Sequence, residues 1–234
     1  MEWKLGRIVM RPVCSVVRSV AFASTIAIAS SATADLIVEN GPVNPQGAIS
    51  DAFSSGGTYA NAVSIAQTFS LEDSVQLTGL SFWGSSTNFS GGDLANFSAF
   101  NVVIWNADFS QQVLNWTISL ASFSTTATGN ENLFNSPEYR FDTAVLGSLA
   151  SGTYQMNVGA VLADGAGDAF VWSQGAEPTG VWVTTAPTFG SWLEAPPGIG
   201  EERGGAFRLD GTIPAPGAIA LLGLAGLAGR RRRS

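Results

Sequence analysis

Histidine is absent from all 234 residues, and the one cysteine, Cys14, lies near the N-terminus. A chain without histidine has no Ser-His-Asp triad, no Cys-His pair and no histidine-based zinc or iron site. Beyond residue 34 there is also no thiol to form a disulfide, attack a substrate or bind a metal. Cationic side chains are almost as scarce. Eight of the 11 basic residues sit at the two ends, which leaves Arg140, Arg203 and Arg208 against 17 acids between residues 35 and 212. That balance excludes a basic nucleic-acid footprint and disfavours adsorption to anionic lipid. A strongly acidic surface keeps a protein soluble and can attract divalent cations.

Both ends have their own character. Residues 1–34 carry Lys4, Arg7, Arg11 and Arg18, then the apolar run "VAFASTIAIAS", then Ala32-Thr33-Ala34. A basic region, an apolar region and small residues at the −3 and −1 positions describe a secretory signal cut before Asp35. The apolar run is rich in Ala and Ser and well under the roughly 20 residues of a membrane span. Removing residues 1–34 and 213–234 leaves about 180 residues, a length that suits one domain with a sizeable core.

The middle, 35–212, reads as all-β. Short runs rich in Val, Ile, Thr, Phe and Trp alternate with Gly, Asn, Ser and Asp clusters. The expected strands are Asp35–Glu39, Ser64–Ser70, Val75–Gly84, Phe97–Asn106, Gln112–Leu120, Glu138–Thr143, Gly152–Val161, Asp168–Gln174, Gly180–Thr185 and Gly205–Thr212. Alternation gives each strand one apolar face, as with Phe100, Val102 and Ile104. One buried face per strand implies antiparallel sheets packed face to face, so the expectation is a jelly-roll-like β-sandwich. Thr184–Gly205, rich in Pro and Gly, reads as a long surface loop. A signal helix and a short C-terminal apolar helix are expected outside the fold.

Six tryptophans follow residue 34. Trp116 and Trp172 lie within apolar alternation and are expected in the core. Trp105 falls opposite the Phe100/Val102/Ile104 face, and Trp192 lies in the expected loop. Those two are the candidates for stacking on sugar rings, because an exposed indole offers the largest aromatic face. Asp164 and Asp168 flank two glycines in "LADGAGDAF" and are weak candidates for calcium, which takes six to eight oxygens. A hairpin turn explains the same residues, so no metal or other cofactor is expected. A glycoside hydrolase or lyase would need two paired carboxyls, and 17 acids single out no pair. Asn88, Asn96 and Asn115 head tripeptides that match the N-glycosylation pattern.

The C-terminus reads "IPAPGAIALLGLAGLAGRRRRS". The 13 residues from Gly217 to Gly229 are all Gly, Ala, Ile or Leu. As a helix they would span roughly 20 Å, short of a bilayer core of about 30 Å. Arg230, Arg231, Arg232 and Arg233 would stay on the cytoplasmic side of an inner membrane, giving transient membrane contact with the body outside. The order of Pro214, Ala215 and Pro216, the apolar run and the arginines resembles the PEP-CTERM sorting signal of Gram-negative bacteria that make extracellular polysaccharide. Ala215 stands where that family usually has glutamate. The body is similar to one group of exported proteins with this signal, through "ADLIVENGP", "AQTFSLEDSVQLTGLSFWG" and "AFRLDGT". The resemblance implies processing by signal peptidase and by an exosortase-type enzyme. It also implies retention at the cell surface or in the extracellular matrix of a Gram-negative-type bacterium.

The expected function is therefore a non-enzymatic, exported structural or interaction module. Its alternative is a carbohydrate-binding module for extracellular polysaccharide, with a carboxylate-based hydrolase or lyase as the third reading.

Overall fold

The computed structural model describes residues 34–49, 63–87, 94–132, 134–163, 169–177, 180–185, 191–194 and 204–214. Among them are 13 strands. In chain order these are β1 (Asp35–Asn40), β2 (Pro42–Ile49), β3 (Val63–Leu71), β4 (Val75–Ser86), β5 (Phe97–Asn106), β6 (Gln112–Ser119) and β7 (Ser124–Glu131). There follow β8 (Pro137–Leu149), β9 (Gly152–Leu162), β10 (Phe170–Gly175), β11 (Val181–Thr185), β12 (Leu193–Glu194) and β13 (Phe207–Thr212). Two single-turn 3-10 helices, Leu94–Asn96 and Leu120–Ser122, complete the described elements. The expected terminal helices lie outside the described residues.

The strands form two antiparallel sheets, one of seven strands and one of six. The 12-residue β4 organises the larger sheet. It pairs with β8 from Val75 to Gly84 on one edge. On the other edge it pairs first with β13 and then, from Gly84 to Ser86, with β10. The switch of partner occurs at Gly84, where a Cβ would collide with the Phe170 ring and the Val171 carbonyl. Glycine is the residue that admits so close an approach. The smaller sheet runs β12-β11-β3-β9-β5-β6.

Alternating residues of both sheets meet in one core. Phe82 of β4 lies 4.9 Å from Phe100 of β5, ring centre to ring centre, and stacks on Phe141 of β8 at 5.0 Å. Phe170 of β10 joins Phe100 at 5.0 Å. All four rings are fully buried, and edge and offset aromatic pairs add about 0.5–1.5 kcal/mol each beyond area burial. Trp172 is buried as expected, and its indole N–H donates to the Ala206 carbonyl at 2.8 Å. Trp116 departs from expectation. It is only half-buried on the edge strand β6, with its N–H 3.3 Å from the Leu146 carbonyl.

Ten expected strands are present, several extended by a residue or more, whereas β2, β7 and β12 were not expected. The "long loop" at Thr184–Gly205 is interrupted by β12, which pairs Trp182 with Glu194 and Val183 with Leu193. β7 reads STTATGNE and is exposed at every residue, so it carries no apolar alternation. It exists because it pairs with β8 and covers one buried acid. Glu138, on the side of β8 opposite Phe141, is fully buried. Its carboxyl accepts hydrogen bonds from Thr128 Oγ1 at 2.7 Å, Asn130 Nδ2 at 3.0 Å and Ser173 Oγ. The β7–β8 register slips between Ala127 and Glu131, which bends Thr128 and Asn130 over it.

Glu138→Ala leaves those donors without an acceptor, so it should cost ~2–4 kcal/mol. For a domain of this size that lowers the thermal midpoint by about 5–12 °C. Glu138→Gln, which keeps an acceptor, should cost less than half as much by the same calorimetric measurement.

Candidate functional site

The outer face of the six-stranded sheet follows from the parity of β5. Phe100, Val102 and Ile104 point into the core, so Asn101, Val103 and Trp105 point out. Cross-strand pairing then extends one outward row over the sheet: Asn115 opposite Val103, Val103 opposite Asn157, Asn157 opposite Ala66, Ala66 opposite Trp182, and Trp182 opposite Glu194. Trp105 sits one step along, opposite Gln155. Trp192 precedes β12 by one residue and shares the parity of Glu194.

This face carries an aromatic nest. Trp105 and Trp192 have ring centres 6.4 Å apart, so the two sugar-stacking candidates come together. Phe109 lies between them and a third indole. It stacks on Trp192 at 4.8 Å with 12° between planes, meets the Trp182 ring edge-on at 5.4 Å and approaches Trp105 at 6.1 Å. All four side chains are half-buried.

Phe109 reaches this place through the β5–β6 turn. Its φ is 59°, a left-handed conformation that is a steric outlier for a bulky side chain. The turn is tied on both sides of it. Phe109 N–H donates to the Asn106 carbonyl at 3.1 Å, and Gln111 N–H donates to Asn106 Oδ1 at 3.0 Å. Asn106 Nδ2 lies 2.8 Å from Ser110 Oγ, and Ser110 N–H donates to Asp108 Oδ1 at 3.0 Å. That Ser110 backbone N–H, chiefly, holds the Asp108 carboxyl below its ordinary range.

The floor under the nest is polar and satisfied. Gln155 Nε2 donates to the Ala107 carbonyl at 3.4 Å, which fastens the turn to β9, and Gln155 Oε1 accepts from the Thr68 hydroxyl at 2.7 Å. Asn157 Nδ2 donates to the Ile65 carbonyl at 2.7 Å. Gly180, at φ +62°, immediately precedes β11 and lies against the Thr68 side chain.

The indole donors are different. The Nε1 atoms of Trp105, Trp182 and Trp192 are all buried, and none has a hydrogen-bond acceptor among the described residues. Burying such a group unpaired costs about 1–3 kcal/mol, and most buried polar groups are paired. All three donors surround the one Phe109 ring, and being buried they are out of reach of an outside oxygen as the rings stand. The exposed parts of the half-buried rings suit the apolar C–H faces of a sugar chain.

The other candidate positions are distributed as follows. Ala34 and Asp35, at the expected signal cleavage point, are exposed at the start of β1, while Ala32 lies outside the described residues. Pro214 is exposed just past β13, and Ala215, Pro216 and Arg230–Arg233 lie outside the described residues. Asp164 and Asp168 also lie outside them. Among the described residues no group of three or more acids is placed to hold a metal ion, and no helix is long and apolar enough to cross a membrane. Among the described residues acids share a concavity in three places: Glu39 with Glu177 in one of about 310 Å³, Glu72 with Asp73 in another of about 310 Å³, and Asp142 with Asp210, beside Arg140, in one of about 390 Å³. No family model and no curated protein matches the chain.

Sequence reasoning did not select Trp182 or Phe109. The parity of "GVWVTT" carried the first, since Val181 faces inward with Ile65. Nothing in the turn "NADFSQ" announced the second.

If Phe109 holds the indoles together, Phe109→Ala should increase acrylamide quenching of tryptophan fluorescence and shift the emission to the red. The loss of its ring pairs should lower stability by ~1–3 kcal/mol. Phe109→Tyr should change neither reading appreciably.

Proposed function

We propose that this chain is an exported, non-catalytic jelly-roll-like β-sandwich that holds extracellular polysaccharide on the outer face of its six-stranded sheet. The observation that carries the reading is the cluster of Trp105, Phe109, Trp182 and Trp192, four half-buried rings on one outer sheet face. The axial C–H groups of a pyranose chain suit the exposed parts of these rings.

Export is the second part of the proposal. Residues 1–34 serve as a signal removed by signal peptidase. Residues 213–234 serve as a PEP-CTERM-like signal read by an exosortase-type enzyme during a transient stop in the inner membrane. The mature protein then resides at the surface or in the matrix of a Gram-negative-type bacterium. The layout of β1 and β13 supports this reading. They are antiparallel neighbours with Asp35 opposite Gly211, so both junctions lie at one end of the sheet. Asp35, Ile213 and Pro214 are exposed there, within reach of processing enzymes.

Two measurements test the proposal. Trp105→Ala and Trp192→Ala should each weaken binding to the producer's own polysaccharide by about 1–3 kcal/mol, a stacking contact's worth. Binding retained in both would remove the nest from the function. Intact-mass measurement of protein from its native host should show Asp35 as the first residue and no terminal arginines. A mature protein that keeps Arg230–Arg233 would overturn the sorting reading.

A further inference from the structure

We propose that the aromatic nest selects uncharged polysaccharide and rejects polyuronate. This rests on the glycan reading above and adds the class of glycan. Two exposed acids adjoin residues of the nest. Asp108 immediately precedes Phe109, whose ring is the centre of the cluster. Glu194 is paired across β11–β12 with Trp182 and projects from the same face.

The bonding of Asp108 keeps its charge in place. Its carboxyl accepts from the Ser110 N–H at 3.0 Å and is held below the ordinary carboxylate range, so the charge persists in mildly acidic surroundings. Among the described residues no cation balances it on this sheet. Arg140 and Arg208 belong to the other sheet, each tied at 2.7 Å to an acid two residues along its own strand, Asp142 and Asp210. Arg203 lies outside the described residues.

Stacking alone does not discriminate between sugars that share a ring shape, and a carboxylate is a good acceptor for an indole N–H. Charge is therefore the term that separates a glucan from an alginate here. A polyuronate brings one negative charge per sugar past two fixed carboxylates, and like charges brought together oppose association. The effect must weaken as salt screens it.

The test uses purified protein with EDTA present, so that no divalent ion bridges carboxylates. The probes are mixed-linkage β-glucan, galactomannan and alginate. In about 20 mM NaCl, where screening is weak, the better neutral probe should bind at least about fivefold more tightly than alginate. In about 500 mM NaCl the gap should shrink to about twofold or less. The same narrowing is expected at low salt in the double variant Asp108→Asn with Glu194→Gln. The amide introduced by Asp108→Asn keeps a side-chain oxygen for the Ser110 N–H, so the turn is preserved. Alginate bound as tightly as the neutral probes in low salt would overturn the selection, as would a gap that neither salt nor the double variant moves. Binding neither to the three probes nor to the producer's own polysaccharide would overturn the glycan reading itself.

Discussion

The contact between Phe82 and Phe100, 4.9 Å between ring centres, joins a strand of one sheet to a strand of the other. Both rings are fully buried, and Phe141, Phe170 and Phe123 pack around them. Because side chains alternate along a strand, fixing Phe100 inward fixes the facing of every residue of β5. Val102 and Ile104 must follow it into the core, and Trp105 must face out. A one-residue slip of β5 would bury Trp105 and Asn101 and expose three apolar side chains, so the core contact also determines the position of the outer site.

The outer face could have been closed as a second small core, and part of it is. Ala66 and Val103 are buried there beneath the aromatic rings, and Gln155 and Asn157 have found partners among turn and strand carbonyls. A closed core, however, would pair its indole donors too, as Trp172 does in the main core by donating to Ala206. Trp172 and Trp116 each donate to a backbone carbonyl, whereas the indoles of Trp105, Trp182 and Trp192 have no acceptor among the described residues. Both sets are large aromatics in β-strands or beside them, but Trp172 is fully buried and the three rings of the nest are half-buried.

Much of this was legible in the sequence and some was not, for physical reasons. Strands with one face in the core announce themselves by alternation, and Phe97–Asn106 was readable to the residue. β7 has no buried side chain, so no pattern of apolar residues could mark it; its place depends on the distant Glu138. β2 contains two prolines and a glycine, residues that weaken any strand reading, yet it pairs with β10 across bulged register. Trp105 was legible as an outward residue because its strand was. Its meeting with Trp192 depends on β12, two residues long inside a Pro- and Gly-rich stretch, and on a turn that curls over the sheet.

That turn holds the clearest conflict between local and global preference. Glycine or asparagine fits a left-handed position far better than phenylalanine, which is strained there by an amount on the order of 1–3 kcal/mol. Local sequence preference alone would not choose Phe109. The residue persists against that strain because its ring touches three indoles, and its backbone is held by bonds to Asn106 on one side and by the Asp108–Ser110 contact on the other. The strained residue thus sits at the centre of three indoles and is supported by several local bonds. The same turn contributes the exposed carboxyl of Asp108, so the group that braces the strained backbone also puts a negative charge next to Phe109 in the chain.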